Sequence, residues 1–135
     1  MTVFIACSAR SNIDQKYLSL ARNVSKYFHE KGYSLVFGAY SNSMMRECYE
    51  EFNKDGKVVG VTIEDYKEDL TDFKNLKSYI EKTSFDRIKK IYELADILII
   101  LPGGIGSLNE LFSIMEEKRC TPSNKKLFLF NYEKF

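Results

Sequence analysis

The feature that most constrains the fold is the apolar run Ile97 to Leu101 (ILIIL), which PGGIGS follows directly. A strand that is apolar at every position is typical of parallel sheets covered by helices on both faces. Glycine and proline then turn the chain, and apolar residues at helical spacing resume at Leu108. The run therefore predicts a buried, central strand of a parallel sheet.

Short strand patterns alternate with helical patterns along the rest of the chain. The predicted strands are Val3 to Cys7, Leu35 to Phe37, Val58 to Ile63, Ile97 to Leu101 and Leu127 to Phe130. The helical patterns run from Ile13 to Phe28, Met44 to Phe52, Phe85 to Ala95 and Leu108 to Met115. The segment Glu64 to Lys77 has poor periodicity and is interpreted as a surface excursion.

This alternation predicts βαβ units with right-handed crossovers. We therefore expect residues 1–135 to form a single α/β domain of the Rossmann-like, nucleotide-binding kind. Its sheet should be open and mainly parallel, with helices on both faces.

Composition narrows the classes of partner. The 135 residues include 20 Lys and Arg against 19 Asp and Glu, a net charge of +1. Such a balance gives no basic field that would attract nucleic acid or anionic lipid. The N-terminus lacks the pattern of a secretory signal, and no apolar run approaches the ~20 residues that span a bilayer. We therefore expect a cytoplasmic protein that binds neither nucleic acid nor membrane.

The cysteines and the single histidine argue against metal chemistry. Cys7, Cys48 and Cys120 are far apart and lack CxxC spacing, which disfavours a disulfide framework or a zinc site. His29 lies late in a helical pattern, where a cation is favourable, and is interpreted as a solvated surface residue. We expect no metal and no cofactor.

The glycine cluster after the most apolar strand predicts an anion site. Gly103, Gly104 and Gly106 precede a helix, and at that position backbone N–H groups and the helix dipole face a ligand. Glycine lets the main chain approach an oxygen-rich group, and Ser107 adds a hydroxyl donor. A tight turn without a ligand is the alternative.

Two charged residues near this cluster each allow two interpretations. Glu110, three residues after Ser107, completes a Ser-x-x-Glu pattern that is typical of a capping box. Alternatively, its carboxylate holds ribose hydroxyls or stabilises positive charge at an anomeric carbon. Arg87 lies near a helix start, where a cation is unfavourable, and this favours a ligand role. An exposed ion pair with Asp86 or Glu81 is its alternative.

Ligands of parallel sheets bind beyond the carboxyl ends of the strands. Three loops lie there: Ser8 to Asn12, Gly38 to Ser43, and Pro102 to Ser107. The first loop reads CSARSN and lacks the G-x-G-x-x-G fingerprint, which disfavours an ordinary NAD enzyme. Met44 and Met45 are interpreted as core residues.

The segment DRIKKIYELADILIILPGGIGSLNELF resembles the Lonely Guy family of cytokinin riboside 5′-monophosphate phosphoribohydrolases, often labelled lysine decarboxylases. That family pairs an arginine-containing helix start with a PGGxGTxxE motif. The segments FIACSARS, LVFGAYSNSMM and LFLFNYEKF look like its opening strand and loop, its second glycine loop and its late strand.

The resemblance implies hydrolysis of the N-glycosidic bond of a nucleoside 5′-monophosphate, AMP or N6-modified AMP, to free base and ribose 5-phosphate. On the resemblance, Arg87 and Glu110 take the catalytic positions. The candidate phosphate- and nucleotide-binding residues are Gly103, Gly104, Gly106, Ser107, Ser8 and Gly38. The resemblance also implies a homodimer.

The chain departs from the family pattern in four places. It has Gly38, Ala39 and Tyr40 where the family has three consecutive glycines. It then has Ser43, Met44 and Met45 where the family has Gly-Leu-Met. Ser107 replaces Thr and keeps the hydroxyl. Phe85 and Asp86 replace His-Glu before Arg87, and the sequence stops at Phe135, where family members tend to continue with further helix. Two alternatives remain open: a nucleotide-binding or sensing module without turnover, and a nucleoside deoxyribosyltransferase-like enzyme.

Overall fold

The computed structural model describes residues 1–132 and contains six strands and four α-helices in that range. The strands are β1 (Thr2–Ala6), β2 (Ser34–Phe37), β3 (Val58–Ile63), β4 (Lys77–Glu81), β5 (Ile97–Ile100) and β6 (Lys126–Leu129). The helices are α1 (Gln15–Glu30), α2 (Ser43–Phe52), α3 (Ser84–Leu94) and α4 (Ile105–Cys120). Short 3-10 segments span Asn53–Asp55 and Glu64–Asp72.

The strands form one sheet in the order β4-β3-β2-β1-β5-β6, and every neighbouring pair is parallel. The predicted α/β class is therefore confirmed. Residues 133–135, the end of the segment LFLFNYEKF, lie outside the described residues. Within residues 1–132, none of the helices is long and apolar enough to cross a membrane.

Both faces of the central strands are buried. Side chains alternate along a strand, so Ile5 and Ile99 face the core beneath α1 and α2, whereas Phe4 and Leu98 face the core beneath α3 and α4. All four residues of β5 are buried. The continuous apolar run thus reflects burial on two sides, as the sequence predicts.

The interpretation of Glu64 to Lys77 as a surface excursion is wrong at its end. Lys77 begins β4, which pairs with β3 from Val59↔Lys77 to Ile63↔Glu81. Because β4 is an edge strand with exposed or half-buried residues, it lacks the apolar run that marks the inner strands.

The apolar residues of α4 do not all face the sheet. Leu111 and Ile114 are buried. Leu108, Phe112 and Met115 are instead 38%, 62% and 49% exposed. The sheet covers one side of α4 and leaves a second apolar side uncovered.

His29 is not the solvated residue that the sequence suggests. Its side chain is 15% exposed, and its Nδ1 and Nε2 atoms lie 3.1 Å and 3.0 Å from carboxylate oxygens of Glu51 and Asp55. Hydrogen bonds to Glu51 and Asp55 raise the pKa of His29. The imidazolium therefore joins the end of α1 to the end of α2.

This cluster should make stability depend on pH. A raised pKa in the folded state means that the contribution of His29 is complete below its unfolded pKa, near 6.5, and is lost as pH rises through the folded pKa. We expect His29→Gln to lower the Tm by about 3–5 °C at pH 6, with a smaller effect at pH 9.

Thermal unfolding at both pH values measures this difference. Lys26→Gln, which removes an exposed 3.9 Å ion pair with Glu30 on the same helix, is the control and should have little effect at either pH. Equal losses for His29→Gln at pH 6 and pH 9 would contradict the ionic role.

Candidate active site

A cavity of about 500 Å³ opens at the carboxyl edge of the sheet, where β1 lies between β2 and β5. The chain moves from β1 towards β4 on one side and then crosses to β5 and β6 on the other. The loops after β1 and β5 therefore diverge, which leaves the crevice in which α/β proteins bind ligands. The lining includes Ser8, Arg10, Tyr40, Met45, Gly104, Gly106, Ser107 and Glu110.

The start of α4 forms one wall of this cavity. Gly104 is the N-cap, and no side chain caps the helix. The N–H of Leu108 bonds to the carbonyl of Gly104 at 3.2 Å, so the N–H groups of Ile105, Gly106 and Ser107 have no partner within the helix. Uncapped N–H groups at a helix start favour an anion.

The three glycines of this loop have different roles. A Cβ on Gly103 would lie 2.2 Å from Ser107 Oγ and 2.8 Å from Ser107 Cβ, so glycine allows Ser107 to pack under the loop. At Gly104 and Gly106 a Cβ would meet no protein atom within 4 Å. Both line the cavity, so their missing side chains leave space for a ligand.

Glu110 is a buried carboxyl group without a partner. The residue is 6% exposed, and within residues 1–132 its carboxylate has no hydrogen bond or ion pair. Burial raises its pKa to about 7, and the positive charge of Arg87 partly opposes that rise. At neutral pH this group can therefore hold or release a proton.

The capping-box interpretation of Glu110 is wrong. Because α4 begins at Ile105 with Gly104 as its N-cap, Ser107 is inside the helix and Glu110 lies in its second turn. Glu110 is too far along the helix to bond to the N-cap N–H. Its burial in the cavity wall needs another explanation.

Arg87 reaches the same edge from α3. Its Nε donates to the carbonyl of Val61 at 2.9 Å, and its Nη2 donates to the carbonyl of Gly38 at 3.2 Å. No ion pair joins it to Asp86 or Glu81, and Asp86 instead takes part in the N-terminal cap of α3. The ion-pair alternative is therefore wrong, and two carbonyls fix the guanidinium.

The second glycine loop keeps its one indispensable glycine. A Cβ on Gly38 would lie 2.2 Å from Arg87 Nη2, so any side chain there would displace the guanidinium. Ala39 and Ser43, which stand where the family has glycine, adopt φ values of +60° and +57°. These L residues keep a left-handed backbone that glycine adopts more easily.

The first loop supplies Ser8 and a free cation. Ser8 is buried, and its Oγ accepts a hydrogen bond from the Arg10 N–H at 3.1 Å. The Arg10 side chain is exposed, lines the cavity and has no partner among the described residues. Met44 and Met45 are both core residues, as predicted, and Met45 also borders the cavity.

The sequence analysis assigns no site role to three residues that line an adjoining cavity of about 240 Å³. Tyr40, Tyr66 and Asp69 share this cavity with Gly38 and Arg87. Tyr66 and Asp69 lie in the segment Glu64–Asp72, which has no periodic pattern. Tyr66, an aromatic residue within a mostly acidic segment, is the one sequence feature that could have indicated a ligand contact there. Within residues 1–132 no group of three His, Cys, Asp or Glu is placed to hold a metal ion.

The chain is similar to proteins of known name. It is 24% identical over 134 residues to the probable cytokinin riboside 5′-monophosphate phosphoribohydrolase LOG4 of Oryza sativa subsp. japonica. That match covers 98% of this chain and 58% of the rice protein, so the chain spans little more than half of its relative's length.

Solved structures with the same fold include two molybdenum cofactor proteins. The Moco carrier protein of Chlamydomonas reinhardtii matches with a TM-score of 0.67 at 15% identity, over 96% of this chain and 75% of that one. The molybdenum cofactor binding protein of Rippkaea orientalis matches with a TM-score of 0.61 at 16% identity, over 95% and 73% of the two chains. At these identities the likeness establishes the fold alone.

The family described as "Possible lysine decarboxylase" matches residues 42–135, which include Arg87, the glycine loop before α4 and Glu110. This match spans most of the sequence and agrees with the rice relative. The chain therefore belongs to that family, the Lonely Guy family.

Proposed function

We propose that the protein hydrolyses the N-glycosidic bond of a nucleoside 5′-monophosphate, AMP or N6-modified AMP, to free base and ribose 5-phosphate. The observation that carries the proposal is the unpaired, buried carboxyl of Glu110, with its pKa raised to about 7, in a cavity walled by an uncapped helix start. Family membership and the name of the rice relative point the same way.

The 5′-phosphate binds at the start of α4. The N–H groups of Gly106 and Ser107 and the Ser107 hydroxyl donate to its oxygens, and the helix dipole favours its charge. The guanidinium of Arg10 lines the same cavity and adds a cation. Binding energy from the phosphate, which does not react, then orients the sugar.

The reaction takes place beside Glu110. The oxygen of a water molecule attacks C1′, the C1′–N bond breaks, and its electron pair leaves with the base, which takes up a proton. The Glu110 carboxylate stabilises the positive charge that develops at C1′ and accepts a proton from the attacking water. Arg87 offsets negative charge on the nucleotide and favours the ionised form of Glu110.

A nucleotide-binding protein without turnover is the second candidate. The two fold neighbours are named for carrying or binding a cofactor, and the loop Gly38 to Tyr40 has side chains where the family has glycines. Nucleotide binding without base release would support this candidate. A deoxyribosyltransferase-like enzyme would instead form a new nucleoside when a second base is added.

We also propose that the protein is a homodimer, joined through the uncovered side of α4. Leu108, Phe112 and Met115 are exposed there, and Phe85 of α3 is 81% exposed. Apolar side chains grouped on one helix face favour association. A second copy presents the same face, as a two-fold interface requires.

The first test is base release. We expect the wild-type protein to release adenine from AMP or from an N6-modified AMP, and Glu110→Gln to lower kcat at least 100-fold, because the amide cannot ionise. Chromatography of free base and ribose 5-phosphate measures both. Glu117→Gln, an exposed substitution on the same helix, is the matched control and should retain activity. Equal release by wild type and Glu110→Gln would contradict the proposal.

The same variant should be more stable than the wild type. A folded pKa of about 7 against an unfolded 4.5 means that ionising buried Glu110 costs stability progressively as pH rises above about 4.5. We expect Glu110→Gln to raise the free energy of unfolding by about 2–3 kcal/mol at pH 8. At pH 4 the gain should nearly vanish. Denaturant unfolding measures the difference, and a destabilised variant at pH 8 would indicate a structural role instead.

Gly38→Ala tests the position of Arg87. The added methyl would displace the Arg87 guanidinium from its two carbonyl partners, and the atoms nearest to that methyl all belong to side chains. We therefore expect a fall of more than tenfold in kcat/KM with a Tm within about 2 °C of wild type. Arg87→Lys should be similarly impaired, because the single nitrogen of lysine does not reproduce the two separate donors, Nε and Nη2, that reach the two carbonyls. Gly104→Ser, whose Cβ would have no protein atom within 4 Å, should affect phosphate binding instead. Full activity in Gly38→Ala would show that the guanidinium need not stay in place.

Phe112→Asp tests the dimer. A buried charge at the centre of the apolar face should shift the protein from dimer to monomer in analytical ultracentrifugation. Tyr27→Asp, at an exposed tyrosine of α1 on the other face of the sheet, is the control and should remain dimeric. A monomeric wild-type protein at 100 µM would overturn this part of the proposal.

A further inference from the structure

The adjoining cavity extends the site along the edge of the sheet. Ala9, Tyr40 and Met45 border both cavities, so the two are contiguous. The larger cavity lies at the ends of β5 and β1, and the smaller one reaches Thr62 and Ile63 at the end of β3. A nucleotide with its phosphate at the start of α4 and its sugar beside Glu110 would place its base in the smaller cavity.

The smaller cavity combines aromatic surface with one carboxylate. Tyr40 and Tyr66 line it and are 40% and 62% exposed, and aromatic side chains of this kind stack on planar bases. Asp69 is half-buried, and its carboxylate has no hydrogen bond or ion pair among the described residues. An unpaired carboxylate accepts hydrogen bonds and donates none.

The segment that carries Asp69 is held in place at its end. The Ser41 hydroxyl donates to Asp72 Oδ2 at 2.6 Å, which joins the segment to the second glycine loop. Phe73 is buried, with its ring centroid 4.7 Å from that of Tyr49 and 5.6 Å from that of Phe37. Asp69 therefore lies on an anchored segment, and its position relative to the cavity is set before a ligand binds.

We infer that Asp69 selects the base by accepting a hydrogen bond from the exocyclic amino group that adenine carries at C6 and cytosine at C4. Adenine and cytosine present such a donor, whereas hypoxanthine and uracil present a carbonyl oxygen at the same position. A carbonyl there would face the carboxylate and leave both acceptors unpaired. This inference rests on the proposed placement of the nucleotide.

Paired nucleotides test the selection. AMP against IMP, and CMP against UMP, differ in that group, and binding is measured by calorimetry in the Glu110→Gln background, so that turnover is not required. We expect AMP to bind at least tenfold more tightly than IMP, and Asp69→Asn to reduce that ratio to about threefold or less, because an amide can also donate. Asp65→Asn, at an exposed position of the same segment that does not line the cavity, should leave the ratio unchanged.

Two readouts keep the two claims apart. If Asp69→Asn reduces the AMP-to-IMP ratio but wild type releases no base, the selection stands and the hydrolase proposal fails. If wild type releases base from AMP and IMP equally, or Asp69→Asn leaves the binding ratio unchanged, the selection is overturned. Loss of all nucleotide binding in Asp69→Asn, with AMP and IMP affected alike, would also overturn it.

Discussion

The burial of Glu110 without a partner is the constraint on which the rest of the site depends. A carboxyl group taken out of water favours its neutral form, so the fold loses stability at every pH at which this group ionises. Nothing in residues 1–132 bonds to it, and only the charge of Arg87 moderates the effect. Ionised Glu110 therefore lowers stability, and perturbed carboxyls in cavities are typical of catalytic sites, which is why we place the proposed reaction beside this residue.

The fold explains how the other parts meet this carboxyl. Because β1 lies between β2 and β5, the loops after β1 and β5 separate and α4 starts at the crevice between them. The absence of a Cβ on Gly103 lets Ser107 pack under the loop, and the first N–H groups of α4 remain uncapped. On the neighbouring loop, Gly38 leaves space for the guanidinium of Arg87. The uncapped start of α4, the Glu110 carboxyl and the Arg87 guanidinium therefore lie at one edge of the sheet, as the proposed nucleotide site requires.

Much of this could be predicted from the sequence, because burial leaves a strong pattern. The run Ile97 to Leu101 predicts the central strand correctly, because both faces of β5 are buried and every residue is therefore apolar. The glycines after the run predict the loop that follows it. The edge strand β4 was missed because its residues are half-exposed and show no apolar run. Whether Glu110 completes a capping box or is a free carboxylate depends on where α4 begins. The capping box needs Ser107 as the N-cap, whereas the helix has Gly104 there, and residue spacing alone does not distinguish these two starts.

Other features depend on contacts between distant segments, which no local pattern carries. His29 looked like a surface residue because its partners, Glu51 and Asp55, are more than twenty positions away and come close only when α1 packs beside α2. Asp69 and Tyr66 lie in a polar segment that the fold returns to the cavity. Sequence periodicity reports burial within one element, and these residues act between elements.

The most direct measurement is the pKa of Glu110 itself, by ¹³C NMR of glutamate-labelled protein with Glu110→Gln to assign the resonance. We expect a carboxyl that titrates near pH 7 in the free protein and whose resonance responds when ribose 5-phosphate is added, because the ligand occupies the cavity beside it. A carboxyl that titrates near pH 4.5 and does not respond to ribose 5-phosphate would contradict the central role of this residue.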